Sequence, residues 1–86
     1  MHQPPTPRAR DVFAHNLRLL RRIKDISQEA LALDAGLNRT YVSDVERGSR
    51  NISIDNMESL AQALDVPLKD LLDPDQFKKL DFIRKP

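Results

Sequence analysis

Cysteine is absent from the 86 residues, which excludes a disulfide framework and a thiolate metal site. Glycine occurs only at Gly36 and Gly48, so no glycine-rich loop exists to cradle a phosphate. The two histidines, His2 and His15, stand far apart without companion ligands, and no metal site is expected. Nor does any serine, histidine and aspartate spacing set a nucleophile beside a base, so neither catalysis nor a cofactor is expected. No apolar run approaches the roughly 18 residues that cross a bilayer. Met1–Pro7 lacks the basic-then-apolar layout of a secretory signal. We expect a cytoplasmic chain with no membrane partner.

What is present suits one small domain. A chain of this length buries only about 60% of its unfolded surface, so the core must be small and carefully filled. A separate ligand-sensing domain is not expected. The net charge of +1 is too mild to indicate a nucleic-acid partner by itself. Its distribution is uneven. Residues 1–24 carry six basic side chains (Arg8, Arg10, Arg18, Arg21, Arg22, Lys24) against Asp11 alone, whereas residues 25–65 carry three against eight acids. A solvated helix face and a phosphate-binding face both fit that basic segment.

Pro4, Pro5 and Pro7 keep residues 1–7 out of a helix, and a mobile arm is expected there. From Arg8 to about Lys24, Phe13, Leu17, Leu20 and the Lys24 stem keep one helix face, widened by Leu19 and Ile23. Ser27 is a good N-cap for a helix running to Ala35 and stopping at Gly36. Asn38 caps the next, from Arg39 to about Arg47, closed by Gly48. Residues 49–52 form a polar linker, after which Ser53 caps a fourth helix with the face Ile54, Met57, Leu60, Ala61 and Leu64. Pro67 suits the first turn of a short fifth helix, Leu68 to Leu72. Asp73-Pro74-Asp75 breaks that helix, and residues 76–83 add at most a turn or two. No strand-like alternation or repeat appears, so the expected class is all-α with about five helices.

The segment Gln28 to Arg47 places two short helices across a turn at Gly36, Leu37 and Asn38. Ala32 is small where steeply crossed helices approach, and Leu31, Leu37, Val42 and Val45 fill the wedge between them. The second helix then faces outward with Arg39, Thr40, Ser43, Asp44 and Arg47, side chains of the kind that read base edges in a major groove. Periodicity alone also fits a plain helical bundle.

The joint pattern Ser27-Gln28-Glu29, Leu31-Ala32, Ala35-Gly36-Leu37, Arg39-Thr40-Tyr41-Val42-Ser43, Glu46-Arg47-Gly48, Arg50-Asn51 and Leu60-Ala61 resembles the phage-repressor and Cro-like (XRE) helix-turn-helix family. The resemblance covers about residues 12–72. Within that family, Arg-Thr-Tyr-Val-Ser followed by Glu-Arg-Gly-Ser-Arg-Asn-Ile-Ser is most similar to restriction–modification controller proteins and small stand-alone repressors. It implies a compact five-helix bundle of the lambda-repressor-like type, with residues 8–72 as the DNA-binding domain. It also implies base reading by Arg39, Thr40, Ser43 and Asp44. Backbone contacts would come from Gln28, Asn38, Tyr41, Arg47, Ser49, Arg50 and Asn51. Asp44 departs from the neutral side chains often found there; it either accepts from cytosine N4 or holds Arg39 or Arg47 in position. The family pattern further pairs Arg21 with Glu46, although from the residues alone they are equally two unrelated surface charges.

The resemblance implies a homodimer on a palindromic DNA operator, with Met57, Leu64 and Leu68 on the pairing helices. In the tail, 73–86, Phe77, Leu80 and Phe82 either enlarge the small core or face a second copy. Arg8 and Arg10 follow the proline arm and fit either a minor-groove contact or a plain helix start. The expected function is a bacterial or phage transcription regulator acting by occupancy, with RNA polymerase or another protein as a possible further partner. A rival expectation is an antitoxin or other protein-interaction module whose tail carries the main activity.

Overall fold

Local backbone signals set where each helix starts and stops. The computed structural model describes residues 8–77, so the proline arm at 1–7 and the tail residues Leu80 and Phe82 lie outside the described residues. Among those described there are five helices and no strand: α1 (Ala9–Ile23), α2 (Gln28–Ala35), α3 (Arg39–Glu46), α4 (Ile54–Ala63) and α5 (Leu68–Leu71). None is long and apolar enough to cross a membrane.

Three of the starts carry the side-chain caps expected of them. The Ser27 hydroxyl accepts from the Ala30 N–H, Asn38 Oδ1 from Thr40 and Tyr41, and the Ser53 hydroxyl from Asn56. Pro67 sits one residue earlier than expected, at the N-cap of α5. Its ring fixes φ near −69°, and the extended ψ of 145° turns the chain into the helix.

Four of the five stops share one geometry. Asp25, Gly36, Gly48 and Asp65 all have φ between 58° and 71°. After each, the next N–H reaches back to a carbonyl of the last helical turn: Ile26 to Arg21, Leu37 to Ala32, Ser49 to Asp44, and Val66 to Ala61. Two of the four are aspartates, which occupy this left-handed region at a strain that glycine does not carry. Because α1 stops at Ile23 and the backbone turns at Asp25, Lys24 is exposed, and its stem does not extend the buried face.

The core gathers Phe13 and Leu17 from α1, Leu31 from α2, Val42 from α3, Leu60 from α4, Leu64 at its C-cap, and Leu71 from α5. All are at most 1% exposed, and each such side chain stabilises the fold by about 1.5–3 kcal/mol. Ala32, 2% exposed, is a small residue of α2 within the same core. Ile54 departs from expectation: at the first position of α4 it is 66% exposed, clear of the buried face.

Asn16 lies among the apolar residues of α1, only 2% exposed. Its amide donates to the carbonyls of Leu71 at 3.1 Å and Asp73 at 2.9 Å, tying the first helix to the end of the last. Past that tie, Phe77 folds back into the core at 8% exposure. Two of the residues assigned to a dimer surface are therefore corrected. Leu64 and Phe77 face their own core and offer a second copy almost no area, while Met57 and Leu68 are half-buried against it.

Candidate nucleic-acid interface

Helix α3 divides its side chains sharply. Val42, Val45 and Glu46 are buried, while Arg39, Thr40 and Arg47 are exposed and Ser43 and Asp44 are partly covered. Its N-terminus is tied down by Asn38, whose Oδ1 accepts from the Thr40 N–H at 2.7 Å. The cap uses the carbonyl end of that amide, and the residue is exposed. Gly36, Asn38, Thr40, Tyr41, Arg50 and Asn56 wall a concave surface beside this N-terminus.

The buried end of α3 is fixed by charge. Arg21 of α1 grips the Glu46 carboxylate twice and also donates to the Ile26 carbonyl. Gln28 of α2 donates to Glu46 Oε1 at 3.0 Å, and Arg18 donates to the Glu46 main-chain carbonyl at 2.7 Å. A buried carboxylate is tolerable only when paired and hydrogen-bonded, and this one receives three side-chain N–H bonds. The Arg21–Glu46 pair thus joins α1 to α3, and Gln28 brings α2 to the same junction. Arg18 and Arg21, two basic residues of the N-terminal segment, turn inward to it.

Gln28, expected at the DNA backbone, has a partner inside the protein as well: its half-buried amide is directed at Glu46. A glutamine at the first position of α2 gives no sequence sign of this partner, because the contact forms only when α2 meets α3.

The outward face carries a chain of polar contacts. Arg47 pairs with Asp44 Oδ1 and donates to the Ser43 hydroxyl at 2.7 Å. Arg50 reaches Asp44 Oδ2 at 3.4 Å and lies over the Tyr41 ring, 4.8 Å from its centroid. The Tyr41 hydroxyl in turn accepts from Asn56 of α4 at 3.0 Å. Ser49 donates to the Asp44 carbonyl, and Asn51 accepts from Arg10 across from α1. Asn56 and Arg10 were not foreseen in these roles. Asp44 was expected to meet a base or to hold Arg39 or Arg47, and it holds Arg47 together with Arg50. Arg39 and Thr40 differ from all of these: their side chains make no hydrogen bond or ion pair among the described residues, and both are exposed. Arg8, expected as a possible arm contact, pairs with Asp11 at the start of α1, which holds its guanidinium above the ordinary arginine range.

Comparison with known proteins reaches the same segment. The helix-turn-helix family model matches residues 17–71. Control protein C.BamHI of Bacillus amyloliquefaciens is 49% identical over 69 residues, covering 79% of this chain and 85% of that protein. The crystal structure of the restriction-modification controller protein C.AhdI from Aeromonas hydrophila aligns with a TM-score of 0.70 and 48% identity, over 72% of this chain and 94% of that one. That of SinR, the master regulator for biofilm formation, is a complex with DNA; it aligns with a TM-score of 0.67 and 34% identity, over 71% and 98% of the two chains.

Proposed function

The chain belongs to the phage-repressor and Cro-like (XRE) helix-turn-helix family, and on that premise we propose that it is a sequence-specific DNA-binding transcription regulator of the restriction–modification controller type. One observation carries the reading to these residues. The start of α3 presents Arg39 and Thr40 exposed and without side-chain partners among the described residues, while its other end is locked by the Glu46 junction. A helix held rigidly from behind and chemically open at its N-terminus is what base reading in a major groove requires.

The roles divide along that geometry. Arg39 forks to guanine O6 and N7, and the Thr40 methyl meets a thymine methyl, with the Ser43 hydroxyl one turn further on. Asn38, Tyr41, Arg47, Ser49, Arg50 and Asn51 hold the sugar–phosphate backbone. These contacts fix register and carry no sequence information themselves. Gln28 keeps a second amide N–H for a phosphate after its bond to Glu46. A second copy on a two-fold operator doubles every contact, with half-sites about one helical turn apart. Output then follows occupancy of the site, blocking or recruiting polymerase.

Selection of bound duplexes from a random pool tests this directly. A palindromic consensus, with two strongly preferred half-site positions or more, is expected. A pool that never enriches would overturn the reading. Ultracentrifugation on an enriched duplex should add about twice the 9.9 kDa chain mass, and one chain per duplex would remove the homodimer from it.

A further inference from the structure

Asp44 is the one acid on the outward face of α3, and both of its oxygens are engaged, Oδ1 by Arg47 and Oδ2 by Arg50. Its side chain is 22% exposed, against 62% for Arg47 and 50% for Arg50. Two guanidinium groups on the proposed backbone-holding surface therefore share one carboxylate, and the local charge is +1 where it would otherwise be +2. Asp44 also follows Thr40 by one helical turn, so the carboxylate lies on the same face as a base-reading side chain.

These two placements have opposite consequences for different DNA sequences. Binding to DNA of arbitrary sequence comes almost wholly from basic side chains neutralising phosphates. For Arg47 and Arg50 to give phosphate their full charge they must turn from Asp44, and the stranded carboxylate then faces a polyanion. A base pair that presents an exocyclic amino group in the major groove, cytosine N4 or adenine N6, gives that carboxylate a replacement donor. We infer that Asp44 is a specificity-determining residue: an intramolecular counter-ion that withholds Arg47 and Arg50 from phosphate unless the DNA supplies an amino group in their place. The inference rests on the DNA-binding reading above and assigns to Asp44 a selective role that attraction alone does not provide.

The test compares the full chain with Asp44→Asn and Asp44→Ala on two probes at several salt concentrations. One probe is a random-sequence duplex of about 30 base pairs; the other is a duplex enriched by the wild-type chain. Alanine is the better helix former, so the second variant guards against a loss of folding, checked by circular dichroism. Both variants should bind the random duplex about tenfold tighter, with a salt slope steeper by up to about one unit per chain. The gain on the enriched duplex should be several-fold smaller, so the ratio between probes falls. Pools selected by the variants should lose preference at one base pair per half-site and keep the rest. Equal gains on both probes, or no gain on the random duplex, would overturn the inference while leaving the DNA-binding function standing. Failure of the wild-type chain to bind either probe would instead remove the function, and this role with it.

Discussion

The Arg21 guanidinium of α1 meets the Glu46 carboxylate of α3 side by side, Nε to Oε2 at 2.5 Å and Nη2 to Oε1 at 3.0 Å. Their side chains are 12% and 3% exposed, so the pair is nearly dry. Two parallel bonds fix an angle as well as a distance, and the angle here is that of the proposed recognition helix relative to α1.

Removing one partner of such a pair leaves an uncompensated charge. Glu46→Ala should therefore lower stability by about 3–5 kcal/mol, read from urea unfolding. Replacing both partners, Arg21→Leu with Glu46→Leu, should cost less than Glu46→Ala alone, since no charge is then stranded. An unchanged unfolding midpoint for Glu46→Ala would show the pair to be energetically idle.

The two glycines should respond differently to a methyl group. Both have φ near +70°, which costs an alanine about 1 kcal/mol or more. At Gly36 the added carbon meets nothing within 4 Å, whereas at Gly48 it comes to 3.0 Å from Asp11 Oδ1. Gly48→Ala should be the more destabilising of the two in equilibrium unfolding, with Asp65→Gly gaining up to about 1 kcal/mol by relieving strain. The reverse order of the two alanines would mean that the Asp11 side chain swings away without loss.

Asn16 supplies a donor that its near-isostere lacks. Asn16→Ala should cost about 2–3 kcal/mol by leaving the Leu71 and Asp73 carbonyls without it, and should speed amide exchange across 68–73. Asn16→Asp should cost more at neutral pH, because an ionised carboxylate accepts only and would face two carbonyl oxygens. Equal stability of the two variants would show that water replaces the side chain.

Arg39 and Arg50 separate reading from holding. Arg39→Ala should lose about 1–3 kcal/mol on an enriched duplex and relax preference at one base pair per half-site. Arg50→Ala should relax preference at no single base pair, weaken the enriched duplex more than a random one, on which Asp44 withholds Arg50, and flatten the salt dependence on the enriched duplex by about two units for a dimer. Intact preference in the first variant, with altered preference in the second, would reverse the two roles.

How far the sequence discloses this protein depends on the range of each interaction. Ser27, Asn38 and Ser53 act on backbone groups two or three positions away, and Gly36 and Gly48 act on their own φ, so these ends were legible. Asp25 and Asp65 perform the same turn, but aspartate also caps, pairs and solvates, so its presence does not announce a left-handed residue. Asn16 shares the helical stripe of Phe13, Leu17 and Leu20; a polar residue on an apolar stripe is a signal, though it names no partner. In the site, the chemistry of Arg39, Thr40 and Arg47 was visible, whereas the engagement of Gln28 by Glu46 and of Arg50 by Asp44 was not. Those contacts lie at the tips of long side chains whose meeting is decided by the packing of helices.

The repeated left-handed stops bear on how quickly the chain acquires its shape. Four helices end through bonds between residues only a few positions apart, so their stops are specified locally. A chain specified so locally should refold on the order of microseconds to milliseconds, with little time in compact states that expose its apolar faces. The bond from Asn16 to Leu71 spans 55 residues and closes the two ends of the domain on each other. Such a bond costs more loop-closure entropy than any of the helix stops, because 55 residues separate its partners.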